Sequence, residues 1–210
     1  MKFIYLLALL LVSSVSYSHP VSFEGSKGIM GYHSPMLIHF QLNYSFKYWL
    51  AAGVHHFEIP NSRPDQFANF ASANFLIKRW NGASYQANIY GVLGLGHAKL
   101  RESSRGAMLA KLQFDIENRK YYFLSSFSQV NTEQQTELKD AVVRFGVAPY
   151  VGSFNDIHSW IILEYRSNEI GNQNPIDDIT PFLRIYYKNL LFEIGQSFNG
   201  LTRFNYITHF

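Results

Sequence analysis

The chain has 210 residues, no cysteine and a formal net charge of +3, which falls by one if Lys2 is removed with a leader. That length suits one domain. The charge is too weak to argue for a nucleic-acid partner, and the missing cysteines exclude a disulfide-stapled fold. Aromatics reach 17%, with 18 Phe and 14 Tyr, while charged residues make up only 16%.

The first element is a leader. Met1 to Ser18 carries one positive charge at Lys2, an apolar run from Phe3 to Val12 and a small polar tail. Ser16 and Ser18 suit cleavage before His19, so residues 1–18 read as a secretory signal peptide and 19–210 as the mature domain. Past the leader no apolar run approaches the roughly 18 residues that a membrane helix needs. Any insertion into a membrane must therefore use strands.

Alternation predicts twelve strands, with ten as the alternative count. They cover about 26–33, 36–46, 48–59, 66–80, 84–99, 107–118, 120–131, 138–151, 157–167, 178–188, 190–199 and 203–210. Short links at 46–47, 80–82, 118–119 and 188–189 alternate with longer polar ones at 60–65, 101–105, 131–137 and 167–177. Two links break the pattern: 152–156 is long and the first hairpin, at Ser34-Pro35, is short. An even strand count puts both termini at one end.

The faces separate cleanly. Met108, Ala110, Leu112, Phe114 and Ile116 alternate with Lys111, Gln113, Asp115 and Glu117. Val143 and Phe145 flank Arg144, Leu163 and Tyr165 flank Glu164, and Phe192 and Ile194 flank Glu193. In the final segment Phe204, Tyr206, Thr208 and Phe210 share one face, with Arg203, Asn205 and His209 on the other. This is the period of a strand with one greasy and one wet side.

A final alternating strand that stops at a terminal aromatic resembles the C-terminal signal of bacterial outer-membrane β-barrels. The resemblance covers the mature chain through the leader, the alternation and the loop asymmetry. It implies an all-β fold, an antiparallel up-and-down transmembrane barrel in the outer membrane, surrounded by its lipid. It also implies recognition of the strand ending in Phe210 by the barrel-assembly machinery. Aromatic girdles would explain the Phe and Tyr excess, with Trp49, Trp80 and Trp160 near strand ends. A narrower set, Lys78-Arg79-Trp80-Asn81, Gln86-Ala87-Asn88-Ile89-Tyr90, Tyr186-Tyr187-Lys188-Asn189 and Thr208-His209-Phe210, resembles a proteobacterial outer-membrane family associated with heavy-metal resistance loci. That resemblance implies a metal-related role and no catalytic residues.

Three chemistries compete. His19, Met30, His33, Met36 and His39 crowd the first mature residues, near His55 and His56. Thioether with imidazole suits copper(I) or silver(I). Residues three apart on a strand face opposite ways, so convergence requires an irregular hairpin tip. The plainer alternative makes the methionines apolar strand residues and the histidines interface residues.

The second chemistry is the inward charge set: Lys78, Lys111, Asp115, Glu117, Arg144, Glu164, Arg166, Arg184 and Glu193. Such charges filter ions or small solutes in a narrow pore, or pair and fill a small lumen, the favoured alternative. The third is a membrane-embedded hydrolase acting on lipid or peptide. It finds little support, because His158 and Ser159 face opposite ways and Asp177-Asp178 falls in a polar loop. The function expected is an integral outer-membrane protein with a structural or narrow-channel role, linked through its histidines and methionines to metal homeostasis.

Overall fold

A computed structural model of the chain describes residues 19–99, 103–151, 156–171 and 173–210. Residues 1–18, read above as a leader, and most of the 152–156 link lie outside the described residues. Twelve strands form among those described: β1 (Lys27–His33), β2 (Ile38–Lys47), β3 (Leu50–Ile59), β4 (Gln66–Asn81), β5 (Gln86–Lys99), β6 (Arg105–Glu117), β7 (Tyr121–Thr132), β8 (Thr136–Val147), β9 (His158–Ile170), β10 (Ile176–Tyr187), β11 (Leu190–Gln196) and β12 (Thr202–His209). Each pairs antiparallel with its chain neighbours, and β1 pairs with β12 to close the barrel. The seam register sets Gly28 opposite His209 and Met30 opposite Ile207. Beyond it, Lys27 and Phe210 exchange backbone bonds of 3.0 and 2.8 Å. β1 therefore begins at the same end of the barrel at which β12 finishes. Closure removes every free sheet edge, which a membrane demands of a β structure.

The connections differ from the sequence reading. β7 continues to Thr132 and β8 begins at Thr136, so 133–135 is a tight turn. β9 and β10 likewise shorten their link to 171–175. The polar stretches at 131–137 and 167–177 are thus largely strand, whereas the 60–65 link stands as read. Polar residues with no lipid to face can extend a hairpin as readily as form a loop.

Side-chain direction follows the alternation. Val54, Leu95, Leu112, Phe145, Leu163 and Ile194, on six different strands, all point outward and are exposed. Their inward neighbours are polar, charged or tightly packed: Glu164 and Glu193 are 1% exposed and Arg144 is 7%. A soluble barrel would reverse these faces, because an apolar belt around the whole circumference is intolerable in water.

One register irregularity corrects the sequence reading. The β4–β5 ladder shifts between Leu76 and Lys78, so Ile77 is an extra residue. Such a bulge inverts which parity faces in. Lys78 is consequently exposed on the outside, over the Trp80 ring. Arg79 takes the inward place, donating to Asn88 Oδ1 at 2.6 Å and to the Tyr90 hydroxyl at 3.2 Å. Trp49 and Trp80 are exposed near one rim as a belt requires, but Trp160 packs partly buried inside against Tyr122 and Phe182.

Candidate functional site in the barrel lumen

The interior is layered along the barrel axis. At the end where β1 begins, the segment before it folds inward. Val21 is fully buried against Ala51, Leu76 and Tyr90. Asn74 Nδ2 donates to Pro20 O at 3.4 Å and Ser45 Oγ accepts from Ser22 N at 3.0 Å. His19 stacks on Tyr90 with its Nδ1 3.6 Å from Asp115 Oδ2. At the opposite end Leu37, Phe57, Ala98, Val130 and Leu138 form an apolar cap, with Ile59 and Ile170 packed against it.

Between these closures lies a buried ion network. Glu193 accepts from Arg144 Nη1 and Nη2 at 3.1 and 2.9 Å, from Arg184 Nε at 2.6 Å and from Asn205 at 2.7 Å. Glu164 accepts from Arg144 Nε at 2.6 Å and Arg203 Nη1 at 2.8 Å, and Arg166 Nε lies 3.0 Å away as an ion pair. Arg203 continues to Asp178 at 2.7 Å. Charge moved out of water is tolerable only when paired in this way. Asp178 is therefore a buried β10 residue, which corrects the reading of that acid as solvated loop charge. Its neighbour Asp177 is exposed.

On the opposite wall a neutral polar chain runs across β2, β3 and β4. His39 Nε2 lies 3.0 Å from His55 Nδ1, and His55 Nε2 lies 2.9 Å from Ser72 Oγ. This looks like a nucleophile relay, but hydrogen-bond bookkeeping denies it. Asn74 Nδ2 donates to Asn43 Oδ1 at 2.7 Å, so its Oδ1 faces Ser72 as an acceptor, 2.9 Å away. The seryl proton must go to Asn74, and His55 then donates to Ser72. A serine nucleophile needs the reverse, with its proton passed to the imidazole.

A central cavity of about 80 Å³ separates the two walls. Met30, Tyr32, His39, Gln41, His55 and Phe57 line one side, and Lys111, Gln113, Asp140, Arg144, Arg166 and Arg184 another.

The five sequence-proposed metal ligands do not converge. Met30 and His39 both reach this cavity. His33 is on the outer face, stacked beside Tyr206 and Phe204. Met36 sits in the Ser34 turn, and His19 is held beside Asp115 at the other closure. Among the described residues no group of three or more His, Asp or Glu could hold a metal ion. Of the inward charges expected, all but Lys78 face the lumen side. Arg79, Asp140, Asp178 and Arg203 were missed as members of that set, although Arg203 already stood on the wet face of the last strand.

A closed antiparallel barrel with an apolar exterior and a paired, charged interior defines an outer-membrane β-barrel protein. No family model matches the chain, and no curated protein does. The expected tie to heavy-metal resistance loci thus finds no support. Among solved structures, the chain is similar to Acinetobacter baumannii OccAB4 at 10% identity and a TM-score of 0.41, covering 83% of this chain and 53% of that one. The chain thus spans about half of OccAB4. It is also similar to OmpT, an outer membrane protein of Vibrio cholerae, at 7% identity and a TM-score of 0.38, covering 94% and 99%. A loop L8 deletion mutant of the same protein gives 0.39 at 7% identity, covering 89% and 97%. Likenesses this loose carry no argument, and the class rests on the barrel's own closure and faces.

Proposed function

We propose that this protein is an outer-membrane barrel with a lumen closed at rest, serving a structural or small-solute-binding role and not the free passage of solutes. The carrying observation is the burial of Glu164 and Glu193, both 1% exposed although they project into the lumen. In an open pore water would wet both carboxylates. Eight-stranded barrels are filled by side chains and sixteen-stranded porins enclose channels, so twelve strands can go either way. The apolar cap and the inward segment at residues 19–26 support the filled case.

A copper or silver role would have to rest on Met30 and His39, which share the cavity. The guanidinium and ammonium groups on its wall disfavour a bound cation. Recording from purified protein in planar bilayers, with and without copper, tests the reading. Silent membranes in both conditions are expected. Steady ohmic steps from the native protein would overturn it.

A further inference from the structure

We propose that the central cavity is a binding site for a compact oxyanion, held by the Lys111 ammonium. The charge on the wall is one-sided. Lys111, Arg144, Arg166 and Arg184 line the cavity, and Asp140 is the carboxylate beside them. The arginines are already engaged: Arg144 and Arg184 by Glu193, and Arg166 by Glu164 and Asp140. Lys111 differs from them. Its ammonium makes neither a hydrogen bond nor an ion pair among the described residues. Lys111 is half-buried on the cavity wall, so the three donors of its ammonium are open to what fills that space.

Lys111 does not stand alone. Gln113 lies two residues along the same strand, Ser126 and Ser128 line the cavity from β7, and Gln41 faces them from β2. Ser128 is the direct cross-strand partner of Lys111. Hydroxyls and carboxamides beside one ammonium are the donor set that suits an oxyanion, and a point-charge lysine binds phosphate as well as carboxylate. A volume near 80 Å³ admits an ion of a few heavy atoms and excludes a nucleotide. A porin-type constriction would use the same charges for selection during transit. Here the closures at both ends make the cavity a holding site. That holding role rests on the closed lumen proposed above, whereas the donor chemistry of the wall holds whether or not the barrel conducts.

The test is isothermal titration of the full chain in detergent micelles with inorganic phosphate, with acetate and with chloride at fixed ionic strength. Saturable binding of phosphate or acetate is expected, and the stronger of the two distinguishes a phosphate from a carboxylate ligand. Lys111→Gln should weaken it by about tenfold or more, the loss of a charge-assisted contact. Lys111→Arg should retain it in part. Heat-modifiable gel mobility reports that each variant is folded. Should Lys111→Gln fail to fold, Gln113→Ala replaces it, with weakened binding expected. No saturable binding of phosphate or acetate to the native protein, or equal binding by a folded lumen variant, overturns the proposal.

Discussion

The closed lumen makes Glu193→Gln a sharp perturbation. Glu193 receives four hydrogen bonds from three side chains, two of them guanidinium groups. Glutamine keeps the volume, removes the charge and presents an amide NH₂ to donors that cannot accept. Arg144 retains Glu164. Arg184 is left over the Tyr122 ring, 4.5 Å from its centroid, without a paired countercharge among the described residues. Removing one member of a buried pair costs about 3–5 kcal/mol, because the partner stays charged and dry. In a water-filled lumen the same change would cost about 0–1 kcal/mol. Urea unfolding from lipid vesicles, followed by tryptophan fluorescence, separates these regimes. Adding Arg184→Met should recover part of the loss by removing the stranded cation. A loss below about 1 kcal/mol for Glu193→Gln would refute the dry network.

Leu163 faces outward between Glu164 and Ile162, and it is 51% exposed. Leu163→Arg should cost about 2–4 kcal/mol if the site lies near the bilayer midplane. Arg144→Gln would be the milder change if water reached the side chain. With Arg144 buried and doubly paired, its loss should instead match the Glu193 range of about 3–5 kcal/mol in the same unfolding assay. Deleting Phe210 removes both backbone bonds to Lys27 that finish the seam. The deletion should deplete the heat-modifiable band of outer-membrane fractions, and an undiminished band would show that the terminal aromatic is dispensable.

How much of this was legible depended on the range of the interaction. Strand faces were, because period two is a local property: Lys111, Asp115, Arg144, Glu164 and Glu193 all point where alternation sends them. Lys78 was not, because one inserted residue at Ile77 inverts the parity and leaves no mark in composition. The length of β9 and β10 was obscured because their polar ends look like loop. Pairing of the inward charges was the favoured reading, and Arg144–Glu164 and Arg184–Glu193 are ladder neighbours, but the partners across the lumen were not legible. Arg144 on β8 meets Glu193 on β11, and Arg203 on β12 meets Glu164 on β9, across strands that share no ladder. Alternation says which side chains enter the lumen and nothing about whom they meet there. The inward turn of His19 to Ser26 had no periodic signal at all. Its burial follows from filling the space left inside β3 to β6.

The network's position answers a weakness in the ladder. The seam is made by short strands: β1 and β11 have 7 residues and β12 has 8, against 16 in β4. Short strands hold register poorly, and a slip by one residue would exchange their faces. Such a slip in β12 would carry Arg203 toward lipid and Phe204 into the lumen. It would also strip Glu164, Asp178 and Glu193 of Arg203 and Asn205. Asp178 would lose its guanidinium, Glu164 and Glu193 would lose one partner each, and Arg203 would be stranded, so the penalty exceeds the few ladder bonds at stake. Buried ion pairs add little net stability over apolar packing, but they punish the wrong register heavily. That asymmetry suits charge placed beside the β1–β12 seam. It leaves Lys111, across the cavity from the seam, as an inward cation that the closure does not need.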